Sequence, residues 1–596
     1  MRTTKFYIAV ICLLTAAAIT LFAAAPLLGF EETTETATQD EPKQEVSPAR
    51  SDRKVVIDDS DVFHEDNTIY NYDHTAVECL YVTVKEGTEA EGTNHTFEEV
   101  NSYRNTQDMK GVEKILANAI VKAGDEKGPI PGALGYMEDA ANATINVRGR
   151  TSTGYEWKSY KLKLFKDEDK WHGSRTIALN KHPADITRLR NMMYFDLASQ
   201  VPYLTSLRTH FVHLYVCDAT RSGDGSGAYK DFGLYTQIEQ PNSTMLREHG
   251  LSSGGALYKA NMNEFFRNED YLKLATDADY DEDKFNEVLE IKTTQDHTKL
   301  INMLDAVNNY EIPIEETVEK YFDVDNLLSY IAFNIIMGNP DSNAQNYYLY
   351  SPVNSEKWYV LPWDGDACLH YYQYDATNYQ FREGDWTKGI SDYMAIVLYN
   401  RMFRKPAYRD MLTERVEYLH DNIVNAKTVN ELITKYRAVV DPYVKKDPDL
   451  NSLSYTLEMR DDIMEHMAHD VEVSYDYYYK SLDIPSPFYL ADVEKADGKL
   501  KFTWDASVSF NDELISYRFH VSDSPEFTKE SIKKDVETYN VTATTDMLPA
   551  GTYFFRVIAT DESGNQATAF DYYSHNGTHN GMRMFTVDRE GKVATH

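Results

Sequence analysis

The chain has 596 residues, of which 42% are hydrophobic and 13% aromatic, so it can bury large cores in roughly two to four domains. Acidic residues outnumber basic ones by 95 to 60, which gives a formal net charge of −35. This composition excludes a disordered chain, and because no block of Lys and Arg interrupts the negative charge, it argues against nucleic-acid binding.

Residues 1–30 form an apolar segment in which a long uncharged stretch follows Arg2 and Lys5. The stretch is long enough to cross a bilayer, and Pro26 disfavours cleavage at the small residues before it. We therefore predict an N-terminal apolar helix that anchors the protein in a membrane with its body outside the cytoplasm; a cleaved signal peptide is the alternative. Residues 31–54 carry almost no large apolar side chain, which predicts a disordered acidic linker.

The cysteines and histidines show no pattern of a disulfide scaffold or a metal centre. Only four cysteines occur, they are far apart, and no CxxC pair is present. The 17 histidines are scattered along the chain without a metal-ligand spacing. We therefore assign no ligand role to any histidine and expect packing to stabilise the fold.

Residues 55–482 form a mixed region whose first part is rich in strands. The alternation of apolar and polar residues in ATINVRGR and KSYKLKLF predicts two paired strands around the loop RGRTSTGYEW. THFVHLYVCD and FGLYTQIEQ predict two more strands. This part is expected to form the smaller, sheet-rich lobe of an α+β domain.

Helical patterns dominate the later part of the same region. DITRLRNMMYFDLASQV predicts a helix with Asp185 as its N-cap. DVDNLLSYIAFNIIMGN predicts a helix with one apolar face, and residues 391–482 predict further amphipathic helices. The larger lobe is therefore expected to be helical.

Residues 483–596 predict an all-β sandwich. Pro485 and Pro487 mark its boundary, and two-residue periodicity follows in KLKFTWD, YRFHV and TYFFRVIATD. The turn LPAGTY and the early Trp504 resemble a fibronectin type III module. We expect a spacer or packing role for it rather than a specific binding role, because fold does not imply function.

The segment NPDSNAQN places Asp341 and Asn346 at the spacing D-x-x-x-x-N. In the catalytic loop of protein kinases the Asp orients the attacking hydroxyl and the Asn holds magnesium. Asp364 follows two further strand-like stretches and is placed to supply a second metal ligand. The spacing alone is more typical of a polar turn, but the apolar helix before it and the WDGD segment after it favour the kinase interpretation.

Elements upstream of this loop follow in kinase order. Lys158 shares a strand face with apolar residues, whereas Lys161 and Lys163 point the other way, so Lys158 is predicted to contact a nucleotide phosphate. The alternative is a lysine at the frayed start of the strand. YTQIEQPN ends a strand as a hinge between lobes would, and there Glu239 is expected to meet an adenine or a structural partner.

Taken together, the segments INVRGRTS, TIALNKHPADITRLRNMMYFDLA, FGLYTQIEQPN, LYKAN, GNPDSNAQNYYLYS and YVLPWDGD resemble the spore-coat protein H (CotH) kinase family. The resemblance covers roughly Val55 to Leu482. It implies a divergent protein-kinase-like two-lobed domain that uses ATP and Mg²⁺ or Mn²⁺ to phosphorylate Ser or Thr of an extracytoplasmic or coat-type protein. The target protein itself does not follow from the resemblance.

The resemblance also implies roles for individual residues. Asp341 would be the catalytic Asp, and Asn346 and Asp364 the metal ligands. Lys158 would contact phosphate, and Arg148 matches the R-G loop of the family. Glu239 completes the predicted nucleotide-binding set on the hinge argument above. The second acid of the WDGD segment, Asp366, would assist the metal, and Arg150 departs from the small polar residue that is more usual in the family.

Two other functions fit the same sequence. One is a kinase-shaped cell-surface scaffold or adhesion protein without activity, and the other is an ATP-dependent modification other than phosphorylation. Because Asp341, Asn346 and Asp364 are all retained, the sequence favours an active phosphotransferase.

Overall fold

The computed structural model describes residues 65–105, 113–220, 227–370, 385–453, 456–575 and 577–596. The predicted membrane segment, residues 1–30, and the predicted linker, residues 31–54, lie outside this set. Within the described part of the chain, no helix has both the length and the apolar character that a bilayer crossing requires. The described residues combine large sheets with several helices, so the α+β class is confirmed.

The first sheet is built from eight strands and closes on itself. They are β1 (Val77–Lys85), β2 (Ala117–Asp125), β3 (Gly128–Pro129), β4 (Ala143–Arg148), β5 (Ser159–Leu164), β6 (Thr176–Asn180), β7 (Thr209–Asp218) and β8 (Lys230–Ile238). The order is β1-β7-β8-β6-β5-β4-β2-β3, and β1 also pairs with β2 along seven residue pairs. All four strands predicted in this part of the chain are therefore confirmed.

The closed sheet has an apolar inner face and a more polar outer face, because side chains alternate along each strand. Leu80, Val147, Leu162 and Val212 are among the inner residues that share one buried core. The neighbouring positions in sequence face outward, and in this register Asn146 of β4 lies opposite Lys161 of β5. The outer face thus carries charged groups toward the second sheet.

The second sheet has four short strands, and helices surround it. The strands are β9 (Ala256–Ala260), β10 (Leu289–Ile291), β11 (Tyr347–Ser351) and β12 (Tyr359–Pro362), in the order β10-β9-β11-β12. The helices are α1 (Phe97–Ser102), α2 (Arg190–Ala198), α3 (Ser243–Glu248), α4 (Glu282–Val288), α5 (Thr298–Asn308), α6 (Ile314–Tyr321), α7 (Val324–Ile336), α8 (Val397–Phe403), α9 (Pro406–Asn422), α10 (Ala426–Val444) and α11 (Leu457–Asp483).

The predicted helix after Asp185 exists, but its start was predicted wrongly. Helix α2 begins at Arg190, and Leu189 occupies the cap position without a side-chain hydrogen bond. Asp185 instead accepts a hydrogen bond from the Thr187 amide at 3.0 Å and pairs with the Arg190 guanidinium at 2.7 Å. The Asp185 carboxylate also accepts a hydrogen bond from the amide of Arg190, the first helical residue, at 3.2 Å, so it contacts the start of α2 from four residues before the cap position.

The C-terminal residues form two main sheets that share one core. Their strands are β13 (Glu494–Ala496), β14 (Lys499–Thr503), β15 (Ser516–Ser522), β16 (Ile532–Thr538), β17 (Thr542–Asp546), β18 (Gly551–Thr560), β19 (Gln566–Thr568), β20 (Tyr572–Ser574), β21 (Thr578–Asn580), β22 (Met582–Val587) and β23 (Val593–Thr595). Phe502 of the sheet β13-β14-β17 lies 4.8 Å from Phe519 of the sheet β16-β15-β18-β22-β23, measured between ring centroids. The alternating residues of the predicted strands therefore point into this core.

A buried network of charges joins the start of the described chain to the end of β8. His249 donates hydrogen bonds to Glu65 at 2.5 Å and to Glu239 at 2.8 Å, and Glu239 also accepts one from Arg208 Nε at 3.1 Å. Burial alone lowers the pKa of His249, but the two carboxylates outweigh burial and raise it to about 9. His249 is therefore a buried imidazolium at neutral pH.

This network predicts a stability loss at alkaline pH. Folding raises the pKa of His249 from 6.5 to about 9. The protonated ring therefore adds fully to the free energy of unfolding below pH 6.5, and this contribution is lost as pH rises through 9. The contribution is on the order of 3 kcal/mol. Thermal unfolding of the wild type at pH 6 and pH 9.5 should show a larger drop in midpoint than the same pair of measurements on His249→Gln. Equal drops in both proteins would contradict the assignment.

Candidate active site

Helix α7 and the hydroxyl groups around it fix the loop that carries Asp341. Asn334 of α7 accepts hydrogen bonds from Asn339 Nδ2 and from Tyr194 Oη, both at 2.9 Å. Tyr330 Oη donates to the carbonyl of Ser342 at 2.7 Å. These groups are buried, so the loop rests on a rigid polar support rather than on solvent.

Asp341 and Asn346 are in direct contact. Asn346 Nδ2 donates to Asp341 Oδ2 at 2.9 Å and to the Asp341 carbonyl at 3.1 Å, and Gln345 Nε2 donates to Asp341 Oδ1 at 2.7 Å. Asn346 has a φ of +58°, a left-handed conformation that Asn tolerates better than most residues. A non-glycine residue held there is a common feature of functional loops.

A second loop brings Asp364 to the first. The Trp363 amide donates to the carbonyl of Asn346 at 3.1 Å, and the Gly365 amide donates to Asn191 Oδ1 of helix α2 at 3.0 Å. Asp364, which lies between these two anchored residues, has a φ of +53°. The sequence-predicted residues Asp341, Asn346 and Asp364 are thus held on two loops that are hydrogen-bonded to each other.

The carboxylates of these loops repel one another. Burial raises the pKa of Asp364, and Asp341 raises it further, against the attraction of Lys259 and Arg148. Burial, Asp364 and Asp341 together raise the pKa of Asp366 well above its usual range, although its side chain is 42% exposed. Such a group of half-exposed, mutually destabilised carboxylates is typical of sites that bind a cation.

Two cations and an aromatic ring face the carboxylates. Arg148 ends strand β4, and Lys259 lies on strand β9 opposite Tyr348. Their charged groups lie 5.9 Å and 5.8 Å from the centre of the Trp363 ring, which is therefore close to both. Burial lowers the pKa of Lys259 to about 8, and it would fall further without the attraction of Glu290 and Asp364.

The outer face of the closed sheet adds Lys161 to this basic cluster. Burial lowers the pKa of Lys161 to about 8, and the nearby cations Lys292 and Arg148 are among the groups that lower it further. A lysine held near other cations away from water gains strongly from an anion. The cluster of Arg148, Lys161 and Lys259 thus suits a group with several negative charges.

The structure places two predicted nucleotide-binding residues differently. Lys158 is 3% exposed, and its ammonium donates to the carbonyls of Thr153, at 2.7 Å, and Tyr155. Glu239 has the structural partners Arg208 and His249. The roles of Lys158 and Glu239 toward a nucleotide stay predictions, and neither is among the main charges that act on Asp364.

Sequence reasoning missed Lys259 and the helix α2 residues Asn191 and Tyr194. Lys259 stands in the short segment LYKAN, where Leu257 and Tyr258 before it are buried. A lysine inside such an apolar strand is a signal that the sequence did offer. The contacts of Asn191 and Tyr194 with residues more than 100 positions away leave no local signal.

The donor set fits a hard divalent cation. The two loops offer carboxylate oxygens from Asp341, Asp364 and Asp366 and an amide oxygen from Asn346, with no sulfur or imidazole among them. Mg²⁺ and Mn²⁺ prefer oxygen ligands of this kind. A cation there would also relieve the repulsion that raises the pKa values of Asp364 and Asp366.

Comparisons with known proteins show which family the chain resembles. The family model described as CotH kinase protein matches residues 145–477, a range that contains both loops and the basic cluster. Inner spore coat protein H of Bacillus subtilis is 24% identical over 339 residues, which cover 54% of this chain and 84% of that relative.

The contact of Gly365 with Tyr194 predicts that this glycine is required. A Cβ at Gly365 would lie 2.0 Å from Cγ of the Tyr194 ring, so Gly365→Ala must displace either α2 or the Asp364 loop. We expect a loss of about 1–3 kcal/mol in unfolding free energy, measured by chemical denaturation.

Gly154→Ala is the matched control, since a Cβ there meets nothing within 4 Å. The control should stay close to the wild type. Equal stability of both variants would show that the loop and the helix are not in tight contact.

Proposed function

The chain belongs to the CotH kinase protein family, and from this premise we propose that it is an ATP- and metal-dependent protein kinase that phosphorylates Ser or Thr residues of another protein. The observation that carries the proposal is the meeting of Asp341, Asn346 and Asp364 on two loops that share a hydrogen bond, opposite Arg148 and Lys259. Phosphoryl transfer depends mainly on positioning and charge neutralisation, and this arrangement offers both.

In this proposal Asn346 and Asp364 hold Mg²⁺ or Mn²⁺, and Asp366 assists them. The bound cation would neutralise negative charge on the phosphates of ATP. The Asn346 side-chain amide donates its N–H to Asp341, so its oxygen is the atom that would bind the cation.

Asp341 is the group that would position the substrate hydroxyl. The amides of Gln345 and Asn346 hold its two carboxylate oxygens in place. The hydroxyl oxygen would form a bond to the terminal phosphorus, the bond to ADP would break, and the hydroxyl proton would pass to Asp341. A fixed carboxylate keeps the hydroxyl in line for this step.

Arg148, Lys161 and Lys259 are the phosphate-binding groups that the charges favour. Arg148 and Lys161 lie on strands of the first sheet and Lys259 on a strand of the second, and the buried Trp363 ring packs next to Arg148 and Lys259. Lys158 remains the alternative from sequence, and it would have to release two backbone carbonyls to serve.

We further propose the finer points of architecture and location. Residues 55–482 would form two kinase-like lobes, and residues 483–596 a fibronectin type III-like module. The similarity to a spore coat protein suits an extracytoplasmic, coat-type substrate, with residues 1–30 as the membrane anchor or signal.

The proposal predicts separable effects of two substitutions. In the wild type, ATP with Mg²⁺ or Mn²⁺ should raise the thermal midpoint. Asp364→Asn should abolish this rise, because the substitution weakens metal binding. Asp341→Asn should keep most of that rise but lower transfer of labelled phosphate to a library of Ser/Thr peptides by about 10²–10⁴-fold. Mass analysis of the peptides identifies the transferred group.

The matched control is Asp512→Asn, an exposed aspartate in the C-terminal sheets with a φ of +58°, close to that of Asp364. It should behave as the wild type in both assays. Absence of any ATP response and of any transfer by the wild type would reject the kinase and leave the inactive scaffold. A modified peptide with another added group would point to a different ATP-dependent chemistry.

A second prediction tests which lysine contacts phosphate. Lys259→Met should weaken ATP binding by roughly 10- to 100-fold, as expected for loss of a charge-assisted hydrogen bond. Lys163→Met is the control, because Lys163 is exposed on the outer face of β5, two residues from Lys161. Isothermal titration calorimetry measures the affinity of both variants for ATP. Weakening by Lys158→Met but not by Lys259→Met would restore the assignment made from sequence.

A further inference from the structure

A cluster of one carboxylate and two imidazoles lies apart from the two acidic loops. Glu78, His172 and His210 each offer a ligand atom, and these atoms all lie within 4.8 Å of one another. His172 Nε2 is 2.7 Å from Glu78 Oε1, and the His172 and His210 rings are stacked with centroids 4.2 Å apart. Among the described residues this is the one such group of three.

The closed sheet brings these residues together at one of its ends. Glu78 stands two positions before Leu80 on β1, and His210 two positions before Val212 on β7, so both point to the inner face at the end of the core. His172 reaches them from the connection between β5 and β6. The three therefore close the end of the apolar core rather than lie scattered on the surface.

His210 has an unsatisfied polar atom in this cluster. Its side chain belongs to a residue that is only 9% exposed, and its Nε2 is buried without a hydrogen-bond partner in the described structure. A neutral imidazole with an unpaired nitrogen is the form that binds a metal.

His172 is held in a conformation that its residue type rarely adopts. Trp171 and Ser174 exchange two backbone hydrogen bonds at 2.9 Å, and the central residues His172 and Gly173 have φ of +47° and +73°. Asn and Gly are the usual residues in such a two-residue turn. A histidine there accepts backbone strain, and the strain places its ring beside Glu78 and His210.

From these observations we propose that Glu78, His172 and His210 form a binding site for a Zn²⁺-type transition-metal ion. Two imidazoles and one carboxylate are a ligand set that Zn²⁺ favours, with a fourth position left for water, whereas Mg²⁺ prefers oxygen ligands alone. Tetrahedral Zn²⁺ holds ligand atoms about 3.4 Å apart. Because the two rings are stacked, the His172 ring must tilt out of the stack so that its nitrogen and that of His210 point to one ion, and the half-exposed positions of His172 and Glu78 leave room for this movement.

The surroundings of the cluster suit a site that locks the end of the sheet. Tyr72 packs on the buried His210 ring with centroids 4.5 Å apart, which limits how this imidazole can turn, and Trp171 lies edge-on to the His172 ring at 4.2 Å. Glu78 and His172 remain 35% exposed, so an ion has a path from solvent. The ion would tie the β5–β6 turn to strands β1 and β7.

This site is independent of the proposed phosphoryl transfer. Its ligands lie on the inner face and at the end of the closed sheet, whereas Arg148 and Lys161 lie on the outer face. Asp364→Asn is therefore expected to leave Zn²⁺ binding unchanged. Failure of the kinase proposal would not affect the metal proposal, and the reverse also holds.

The test is titration of the full chain, purified in mild detergent, with Zn²⁺ in a buffer that contains excess Mg²⁺ to occupy the acidic loops. One equivalent should bind to the wild type and raise its thermal midpoint. His172→Ala and Glu78→Gln, both at half-exposed positions, should each weaken binding at least about tenfold. Co²⁺ added in place of Zn²⁺ should give the visible absorption of a four-coordinate ion, and each variant should lose it.

His95→Ala is the matched control, because His95 lies 3.9 Å from the Glu99 carboxylate on the surface and belongs to no group of three. It should bind Zn²⁺ as the wild type does, and circular dichroism should show that all variants fold. Absence of Zn²⁺ binding by the wild type, or equal binding by His172→Ala and Glu78→Gln, would overturn the proposal and leave an ordinary ion pair between His172 and Glu78.

Discussion

Three carboxylates held close together in a half-buried cleft repel one another, and much of the structure around them opposes that repulsion. Burial and the charge of Asp341 raise the pKa of Asp364, and burial together with Asp364 and Asp341 raises the pKa of Asp366. Helix α7 holds the Asp341 loop in place and helix α2 holds the Asp364 loop. A backbone hydrogen bond joins the two loops. A cation bound in the proposed site would lower the repulsion between these carboxylates.

The positive charge of the basic cluster beside these carboxylates matters because the rest of the protein is strongly acidic. With a net charge of −35, most of the surface repels nucleotides and other anions. Arg148, Lys161 and Lys259 gather positive charge where two sheets approach, and partial burial keeps salt from screening it. An anion is therefore attracted at this cleft and discouraged elsewhere, which is a form of selectivity that no single contact provides.

Strands and helices with a strong apolar period were predictable from sequence, but the partners of charged side chains were not. The two-residue period of β4 and β5 and the apolar face of α7 are local signals, so these elements appear where they were expected. Asp185 was assigned as a cap because its true partner, Arg190, is a matter of packing. Likewise, the inward face of Lys158 was predicted correctly, but the carbonyls that bind its ammonium belong to an irregular loop.

Glu78, His172 and His210 come together only through strand order, which no spacing in the sequence reveals.

The closure of the first sheet has a consequence for how the protein behaves among other proteins. Strand β1 is paired on one side with β7 and on the other with β2, so it presents no open row of amides and carbonyls. Strand β8 differs, because only its last three residues, Thr236–Ile238, pair with β6. Open edges are where β-rich proteins join one another into aggregates. Along β1 the closed sheet therefore gives a neighbouring chain no strand to extend, whereas the open C-terminal sheets keep edge strands such as β16 and β23.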